Sequence, residues 1–529
     1  MARQSSGVKA QQFVLTCLPR QRHIKCDETL PFCKHCTSTG RHCRNNFNEY
    51  AASATSQKRQ WSTPTSREPS KSPAPSNIQA TSRQWQIFDL FRSLTVKQVG
   101  GVLSKSSFWS VDVLRATEAY PVIFHSSLAM AALNHQLRMS NAMNDFRKEY
   151  YEFALQESTT AIQELRQLAM KPALTYCDKE AILLANVLFT GIACLQGNLY
   201  QALMHVRNAL HLFNEWHFSS ETVAAARGAT PQGVIDPRWL LHLISYFEFQ
   251  AHDIDATITA ASWKRHSYEL LAPPVSGGFA SVADAYYEYM PLHYGFSVDP
   301  NASIDPKSAA NEGRASGFET VYSRWRLRLQ QLADDPDEGS PAQRRAVSTL
   351  WLLVKCERLC RHVRRSSDPN VWRTSNVEFR EIVDSAEKLL QGEYGLAGDD
   401  SDAISPAFTF SLSAVEALRL VGFVSRNGAI RRRVIALLRT YQRRDGLWDS
   451  KLSSSLIEAR MMLDEATLQN LDDSKTCSCE DHVYMCKEHR ALTLGGEMVG
   501  VKMFRTSINS RAGQRRGDQD LLVYTEWDT

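Results

Sequence analysis

The stretch that decides how this chain is organised is Cys17-Leu-Pro-Arg20-Gln-Arg22-His-Ile-Lys25-Cys26-Asp-Glu-Thr-Leu-Pro31-Phe-Cys33-Lys-His-Cys36, which closes at Cys43. It holds five of the twelve cysteines, and the last four follow the spacing C-x6-C-x2-C-x6-C. Zinc takes four soft ligands in a tetrahedron, and a CxxC pair supplies two of them from one turn of backbone. The spacing therefore predicts a zinc site with these five cysteines as ligands, although a thiolate set for zinc is normally even.

The chain has 529 residues, enough for two or more domains. No apolar run reaches the roughly 18 residues that a membrane span requires. The first thirty residues also lack the basic-then-apolar order of a secretory signal. We therefore expect no membrane partner and a reducing compartment, in which bound metal is favoured over disulfides.

Charge is distributed unevenly along the chain. Residues 1–50 contain eight basic and three acidic side chains, and residues 51–83 contain five and one, whereas the whole chain has a net charge of only +4. The remainder is consequently mildly acidic. A basic head on an acidic body is typical of a protein whose head approaches a polyanion.

Composition divides the chain into four predicted regions: a metal-binding head at 1–50, a disordered linker at 51–83, a helical body at 84–475 and an appendage at 476–529. The linker is rich in Ser, Thr, Pro and Gln and has few apolar side chains to offset the entropy of ordering. It also lacks the heptad repeat of a dimerising coiled coil.

The body has helical periodicity almost throughout, so the predicted fold class is mostly α. In one segment the recurring residues are Tyr151, Leu155, Ser158, Ile162, Leu165 and Ala169, which predicts that they form one buried face. Ala181–Leu195 and Asn198–Trp216 are expected to form an antiparallel helical hairpin around Gly197. Further helices are expected to begin near Phe108, Pro121, Trp239, Ala283, Thr320, Gln343, Val377, Ala407, Ile430 and Ser453.

The C-terminal region favours strands over 490–506 and 520–527, with the polar segment between them as the loop of a small β-hairpin. Before them lies Cys477-Ser-Cys479-Glu-Asp-His482-Val-Tyr-Met-Cys486-Lys-Glu-His489. These five side chains could bind zinc, but their spacing matches no common zinc module, and incidental surface cysteines and histidines remain the alternative. Cys177, Cys194, Cys356 and Cys360 lie in apolar helical contexts and are expected to be buried thiols.

From the basic run onward, the head resembles the fungal Zn(II)2Cys6 binuclear cluster, the DNA-binding domain of a family of fungal transcription factors. Cys26-Asp27, the loop residue Pro31, the Cys33-Lys-His-Cys36 pair and Cys43 all fall in place. The resemblance implies two zinc ions in an intact cluster. It also implies base contacts from Arg22 and His23, and phosphate contacts from Arg20 and Lys25.

Upstream, the sequence departs from the family pattern. Valine stands at position 14 where the family has its first cysteine, and Leu18-Pro19 is a two-residue insertion before the basic run. In the family that first cysteine bridges both metal ions, so its loss weakens both sites. Three explanations remain open: a poorly folded head, a head with less metal, or a misplaced exon boundary in the gene.

The body resembles the family more loosely, through Gly197-Asn-Leu-Tyr-Gln201-Ala-Leu-Met-His205-Val-Arg-Asn-Ala209. His205 is expected on the inner face of the hairpin as a hydrogen-bonded core histidine rather than a ligand.

The family implies a nuclear, sequence-specific transcription factor that binds double-stranded DNA at CGG-like triplets and contacts the transcription machinery. The resemblance also implies a regulator of a metabolic or secondary-metabolite gene cluster, and a second copy of the chain, forming a homodimer, is a further expected partner. The sequence contains no G-x-S-x-G elbow, no P-loop and no G-x-G-x-x-G after a predicted strand, so an enzyme is not expected. The alternative is a degenerate relative that does not bind DNA and acts as a helical protein-interaction regulator.

Overall fold

The computed structural model describes residues 78–103, 107–139, 144–218, 233–254, 277–298, 309–334, 340–366, 368–394, 407–469, 491–498, 503–510 and 519–524. The chain divides into two compact units, Met1–Pro69 and Ser70–Thr529, and all of the described residues belong to the second. The four predicted regions are not tested by this division and stay predictions.

The described residues are mostly α-helical, which confirms the predicted fold class. The helices are α1 (Ser82–Leu90), a π-helical turn (Phe91–Thr95), α2 (Val96–Gly100), a second π-helical turn (Phe108–Asp112), α3 (Val113–Ala119), α4 (Pro121–Arg138), α5 (Asn144–Ala169), α6 (Tyr176–Leu195), α7 (Leu199–Glu215), α8 (Pro237–Ile254), α9 (Val282–Val298), α10 (Ala309–Ala333), α11 (Pro341–Arg365), α12 (Pro369–Tyr394), α13 (Ala414–Val424), α14 (Gly428–Thr440) and α15 (Ser450–Gln469). None of these helices is both long and apolar enough to cross a membrane.

Several helices begin at capping boxes, whose residues are recognisable in the sequence. The Thr81 hydroxyl accepts from the backbone amide of Gln84 at 3.2 Å, and the Gln84 side chain accepts from the Thr81 amide at 2.8 Å. Ser340 and Gln343 repeat the arrangement at α11, where Pro341 occupies the first turn. These reciprocal bonds satisfy amides that a helix start otherwise leaves unpaired.

The predicted hairpin around Gly197 is present as α6 and α7. Gly197 has a φ of 72°, and the amide of Asn198 donates to the carbonyl of Ala193 at 2.9 Å, which closes α6 in a Schellman motif. The Asn198 side chain then accepts from the amide of Gln201 at 3.1 Å and starts α7. Two consecutive residues, Gly197 and Asn198, therefore end one helix and begin the next.

The core is centred on α4 and α6. Helix α4 packs against both α5 and α6, and α6 packs against α7. Side chains of α6 are buried almost without interruption from Asp178 to Cys194, and those of α4 from Val122 to Asn134 apart from His125. Because both helices are buried on nearly all sides, neither shows a clear polar face in the sequence.

The predicted buried face of α5 is wrong. Leu155 and Ile162 are 41% and 48% exposed, whereas Ala154, Ala161 and Leu168 are buried. The face that packs is thus shifted by one residue. Alanine lets a neighbouring helix approach closely, so small side chains line the contact while larger ones point to solvent.

Three predicted helix starts also need correction. The segment near Ala407 is a strand, β1 (Ala407–Thr409), and the helix begins only at Ala414. Helices α10 and α12 begin at Ala309 and Pro369, well before the predicted Thr320 and Val377. At β1 the alternation of Phe408 and Phe410 with Thr409 and Ser411 is a period-two pattern, which the helical reading missed.

Strand β1 belongs to a small sheet with β2 (Arg443–Asp445) and β3 (Trp448–Asp449), in the order β1-β2-β3. Phe408 pairs with Arg444 in parallel, and Asp445 pairs with Trp448 in antiparallel register. The turn between β2 and β3 contains Gly446 at a φ of 64°, a conformation that L-residues with a Cβ adopt at a cost.

The predicted C-terminal β appendage is present, but it has three strands rather than two. Strands β4 (Ala491–Met498), β5 (Met503–Ser510) and β6 (Gln519–Tyr524) form an antiparallel sheet in chain order. The first predicted strand is therefore two strands, and Gly500 lies in the sequence between them.

Candidate functional site

The predicted metal ligands and DNA-contacting residues lie outside the described residues, so they stay predictions. They are Cys17, Cys26, Cys33, Cys36, Cys43, Arg20, Arg22, His23 and Lys25, together with the second cluster at 477–489. Among the residues that the structure does describe, no group of three or more His, Cys, Asp or Glu side chains could hold a metal ion.

His205 lies on the inner side of the α6–α7 hairpin, as predicted. Its ring stacks on Phe189 with centroids 5.2 Å apart and an interplanar angle of 19°. Burial lowers the pKa of His205 to about 4, so the ring is neutral at physiological pH. His205 is half-buried and packs within the hairpin, and the described residues show no hydrogen bond to its ring, so the predicted hydrogen bond is not confirmed.

The predicted buried thiols are confirmed for Cys194, Cys356 and Cys360, whereas Cys177 is only half-buried. Cys356 and Cys360 are one turn apart on α11, with Sγ atoms 3.9 Å apart. Burial raises the pKa of the Cys194 thiol to about 12. Thiols of this kind are poor nucleophiles, because only the thiolate reacts readily.

The most distinctive site in the described residues is a polar stripe along the buried face of α8. His242, Tyr246 and Gln250 are spaced by four residues, so they share one side of the helix. Their exposed fractions are 4%, 0% and 2%. Buried polar side chains of this kind are expected to have partners, because burying an unpaired polar group is costly.

At one end of the stripe, Gln250 binds the turn between β2 and β3. Its Nε2 donates to the carbonyl of Asp445 at 2.8 Å, and its Oε1 accepts from the amide of Leu447 at 2.8 Å. A Cβ on Gly446 would collide with Gln250 Oε1 and lie 2.8 Å from Cε1 of Tyr246. The glycine therefore permits both the turn and the close approach of α8.

At the other end, His242 lies among aromatic rings. Its ring centroid is 4.9 Å from those of Trp239 and Tyr286 and 6.0 Å from that of Tyr287. Nε2 of His242 is buried and has no hydrogen-bond partner among the described residues. Burial lowers the pKa of His242 to about 3, which keeps the ring neutral.

Charged pairs surround the stripe on the side of the small sheet. Asp445 accepts from the Ser413 hydroxyl and, at 2.8 Å, from Nε of Arg443. Arg419 makes a bidentate pair with Glu416 in which both distances are 2.8 Å. Each of these side chains is at least nine-tenths buried, so the ion pairs replace the lost hydration of the charges.

Tyr286 links α9 to the same region. Its hydroxyl accepts from the amide of Leu412 at 3.0 Å, and burial raises the pKa of the hydroxyl. Thr409 donates to the carbonyl of Val99 at 3.0 Å, and the amide of Phe410 donates to the same carbonyl at 2.7 Å. The sheet thereby joins the end of α2 to α8, α9 and α13.

The side chains of this site form a buried network of hydrogen bonds and ion pairs. His242 is neutral, burial raises the pKa values of Tyr246 and Tyr286, and the carboxylates of Asp445 and Glu416 are held by arginines. The hydrogen bonds connect α8 to the turn between β2 and β3. It does not present a proton donor or acceptor tuned to neutral pH.

This stripe was not found by the sequence analysis, although signals for it exist. His242, Tyr246 and Gln250 recur every four residues within an apolar helix. The two residues between the paired Asp445 and Trp448 are Gly446 and Leu447, and glycine at the first position of a two-residue loop is a recognised hairpin signal. Gln250 and Asp445 are 195 positions apart in the chain, so local periodicity cannot predict the contact between them.

Residues 87–251 match the model of a protein family described as the fungal specific transcription factor domain. The matched stretch extends from α1 into α8 and contains the α6–α7 hairpin and the polar stripe. No curated protein and no solved structure matches the chain. The match supports a relationship with fungal transcription factors and indicates a regulator of transcription.

Proposed function

We propose that the protein is a nuclear, zinc-dependent, sequence-specific DNA-binding regulator of transcription. The observation that carries the proposal is the match of residues 87–251 to the fungal transcription factor domain, in a chain whose head has zinc-ligand cysteine spacing around a basic run. The basic run would supply the major-groove contacts, and the helical body would carry regulation.

The head would use Cys17, Cys26, Cys33, Cys36 and Cys43 as zinc ligands. Two zinc ions that share two bridging thiolates require six cysteines in the family, and this sequence offers five, with Val14 at the missing position. The donor set therefore fits one complete site better than two. Zinc, when bound, would act structurally by ordering the loop that presents Arg22 and His23.

Metal content tests the role of the head. The full chain is purified in zinc and its metal counted, beside a variant with Val14→Cys and with Leu18 and Pro19 deleted. We expect close to two zinc ions in the variant and fewer in the natural sequence. A matched Cys26→Ser variant should lose metal relative to the natural sequence, whereas Cys177→Ser in α6 should not. Equal zinc in all four proteins would refute the assignment of the ligands.

DNA recognition by the basic run is tested separately. Arg22→Gln should weaken binding to duplexes that contain CGG triplets and reduce the preference over shuffled duplexes, because a bidentate arginine–guanine contact provides about 1–3 kcal/mol of discrimination. Lys58→Gln, in the linker, is the matched control and should keep the preference. Fluorescence anisotropy with the full chain measures both.

The second candidate function is a helical regulator that acts through protein partners without binding DNA. The specific observation that favours it is Val14 together with Leu18-Pro19, which disrupt the cluster pattern at the bridging ligand. In this case the full chain would bind no zinc at the head and would show no preference for CGG duplexes. We propose no enzymatic activity in either case.

A further inference from the structure

An apolar stripe on α5 lies outside the contact of this helix with α4. We call it the α5 seam, and its residues are Tyr151, Leu155, Ser158, Ile162, Leu165 and Ala169. Leu155, Ile162 and Ala169 are exposed, and the other three are half-buried. The buried side of α5 instead carries Ala154 and Ala161. The helix therefore has a second apolar side that the fold of one chain does not bury.

The spacing of the α5 seam is that of a coiled coil. Its residues are separated by 4, 3, 4, 3 and 4 positions, which is the a/d spacing of heptads. A straight helix drifts by only about 20° per heptad, so the six residues stay on one side over this length. The pattern is typical of a helix that packs lengthwise against another helix.

The polar member of the seam does not oppose burial. The Ser158 hydroxyl donates to the carbonyl of Ala154 at 2.7 Å, and the hydroxyl of the adjacent Thr159 donates to the carbonyl of Leu155 at 2.9 Å. Both bonds lie within α5, so covering this side would leave neither hydroxyl without an acceptor. The seam can therefore form a contact from which water is excluded.

The shape of the seam is complementary to a second copy in antiparallel orientation. With position 160 of each copy at the crossing point, every seam residue faces another seam residue. The facing pairs are Tyr151 with Ala169, Leu155 with Leu165, and Ser158 with Ile162. A large side chain thus faces a small one in two of the three pairs, which favours interdigitated packing. A parallel pair would place tyrosine against tyrosine and serine against serine.

Charges beside the seam favour the same orientation. Glu152 and Arg166 are exposed and occupy the same heptad position, one residue after Tyr151 and Leu165. They are about 21 Å apart along the helix at 1.5 Å per residue, so they do not pair within one chain. Antiparallel copies bring Glu152 of each to Arg166 of the other. Among the described residues, Arg166 takes part in no ion pair, and Glu152 has only an exposed contact of 3.8 Å with Lys148.

We propose that a second copy of this chain covers the α5 seam, with the two α5 helices packed antiparallel about a two-fold axis. The same surface then serves both copies, as in other two-fold dimers. Such a dimer requires neither zinc nor DNA, so it is independent of the proposed function.

Sedimentation velocity of the full chain without DNA, over a range of protein concentrations, tests the dimer. We expect a reversible monomer–dimer equilibrium. Ile162→Glu places a carboxylate from each copy near the axis and should raise the dissociation constant at least about tenfold, because burying an unpaired charge is costly. Ile162 is 48% exposed and glutamate is a good helix former, so the variant should fold.

Leu327→Glu is the matched control, because Leu327 is 67% exposed on α10 and should not affect the dissociation constant. Equal dissociation constants for Ile162→Glu and the natural sequence would overturn the proposal. A monomer at every concentration would overturn it as well. If Ile162→Glu then changed hydrogen exchange in residues 1–83 of that monomer, the seam would be assigned to a segment of its own chain.

A charge exchange tests the orientation of the helices. Glu152→Arg and Arg166→Glu should each raise the dissociation constant at least about threefold, because each brings like charges together at both ends of the contact. The double variant should recover the natural value, and an equimolar mixture of the two single variants should form a heterodimer. A double variant no tighter than the single ones would contradict the antiparallel dimer.

Discussion

The side-chain amide of Gln250 and the backbone carbonyl of Asp445 form a hydrogen bond of 2.8 Å across 195 positions of the chain. With the return bond from the amide of Leu447, this contact fixes the turn between β2 and β3 against α8. The matched domain ends at residue 251, so the bond connects that domain to the C-terminal part of the helical body.

Replacing Gln250 by alanine should therefore destabilise the body. The variant removes both hydrogen bonds to the turn, and each lost bond costs about 0.5–1.5 kcal/mol. Gln330→Ala is the matched control, because Gln330 is exposed and its side-chain amide donates to the neighbouring Asp334 at 2.8 Å. Urea unfolding of the two variants measures the difference, and similar losses in both would show that the bond does not stabilise the turn.

Gly446→Ala tests the same contact from the other side. The residue has a φ of 64°, and an added Cβ would collide with the Gln250 side chain, so we expect a loss of more than about 1 kcal/mol in unfolding free energy. Gly392 lies in α12, where an added Cβ meets only Arg345 Cδ at 3.9 Å. Gly392→Ala should raise stability by up to about 1 kcal/mol. A neutral effect at Gly446 would contradict the observed turn.

Because Glu180 is buried, we expect the free energy of unfolding to fall as the pH rises. Burial raises its pKa from 4.5 to about 8, while the amide of Val234 donates to it at 3.0 Å. Between pH 4.5 and 8 the folded chain keeps a proton that the unfolded chain has released, so this residue makes folding less favourable as pH rises, by at most about 1.4 kcal/mol per pH unit.

Glu180→Gln should remove this fall in the free energy of unfolding between pH 5 and 8. Glu378→Gln is the control: Glu378 is exposed on α12, so this variant should keep the same pH dependence as the natural sequence. Denaturant unfolding at a series of pH values measures it. An identical pH dependence in Glu180→Gln and the natural sequence would show that Glu180 is ionised in the folded protein.

The corrected face of α5 gives a paired test. Leu168→Ala empties a buried position and should cost about 2–5 kcal/mol. Leu155→Ala removes the same atoms from a side chain that is 41% exposed and should cost less than about 1 kcal/mol. The two leucines lie on one helix, so helix propensity cancels in the comparison. A larger loss at Leu155 would restore the face predicted from periodicity.

Local patterns predicted the parts of the fold that depend on neighbouring residues. The α6–α7 hairpin follows from Gly197 and Asn198, which end one helix and cap the next. The face of α5 could not be placed, because its periodic pattern fits two adjacent registers and the packing of Ala154 and Ala161 decides between them. The polar stripe of α8 depends on partners far along the chain, so the periodicity of α8 alone could not reveal it.

For the head, residues 1–50, only the sequence pattern supports the prediction. Its cysteine spacing and basic run are typical of zinc binding and DNA contact, whereas Val14 and Leu18-Pro19 interrupt the cysteine pattern at one point. The body adds the independent match at 87–251. Together they make DNA binding the central claim, and regulation by the helical body depends on it.

The measurement that tests this claim most directly is binding of the zinc-loaded full chain to a duplex with CGG triplets over a range of salt concentrations. We expect tighter binding than to a shuffled duplex, loss of binding when zinc is chelated, and a log–log salt slope of about −0.9 for each phosphate neutralised. Equal binding to both duplexes, unaffected by chelation, would contradict the claim and favour the regulator that acts through protein partners.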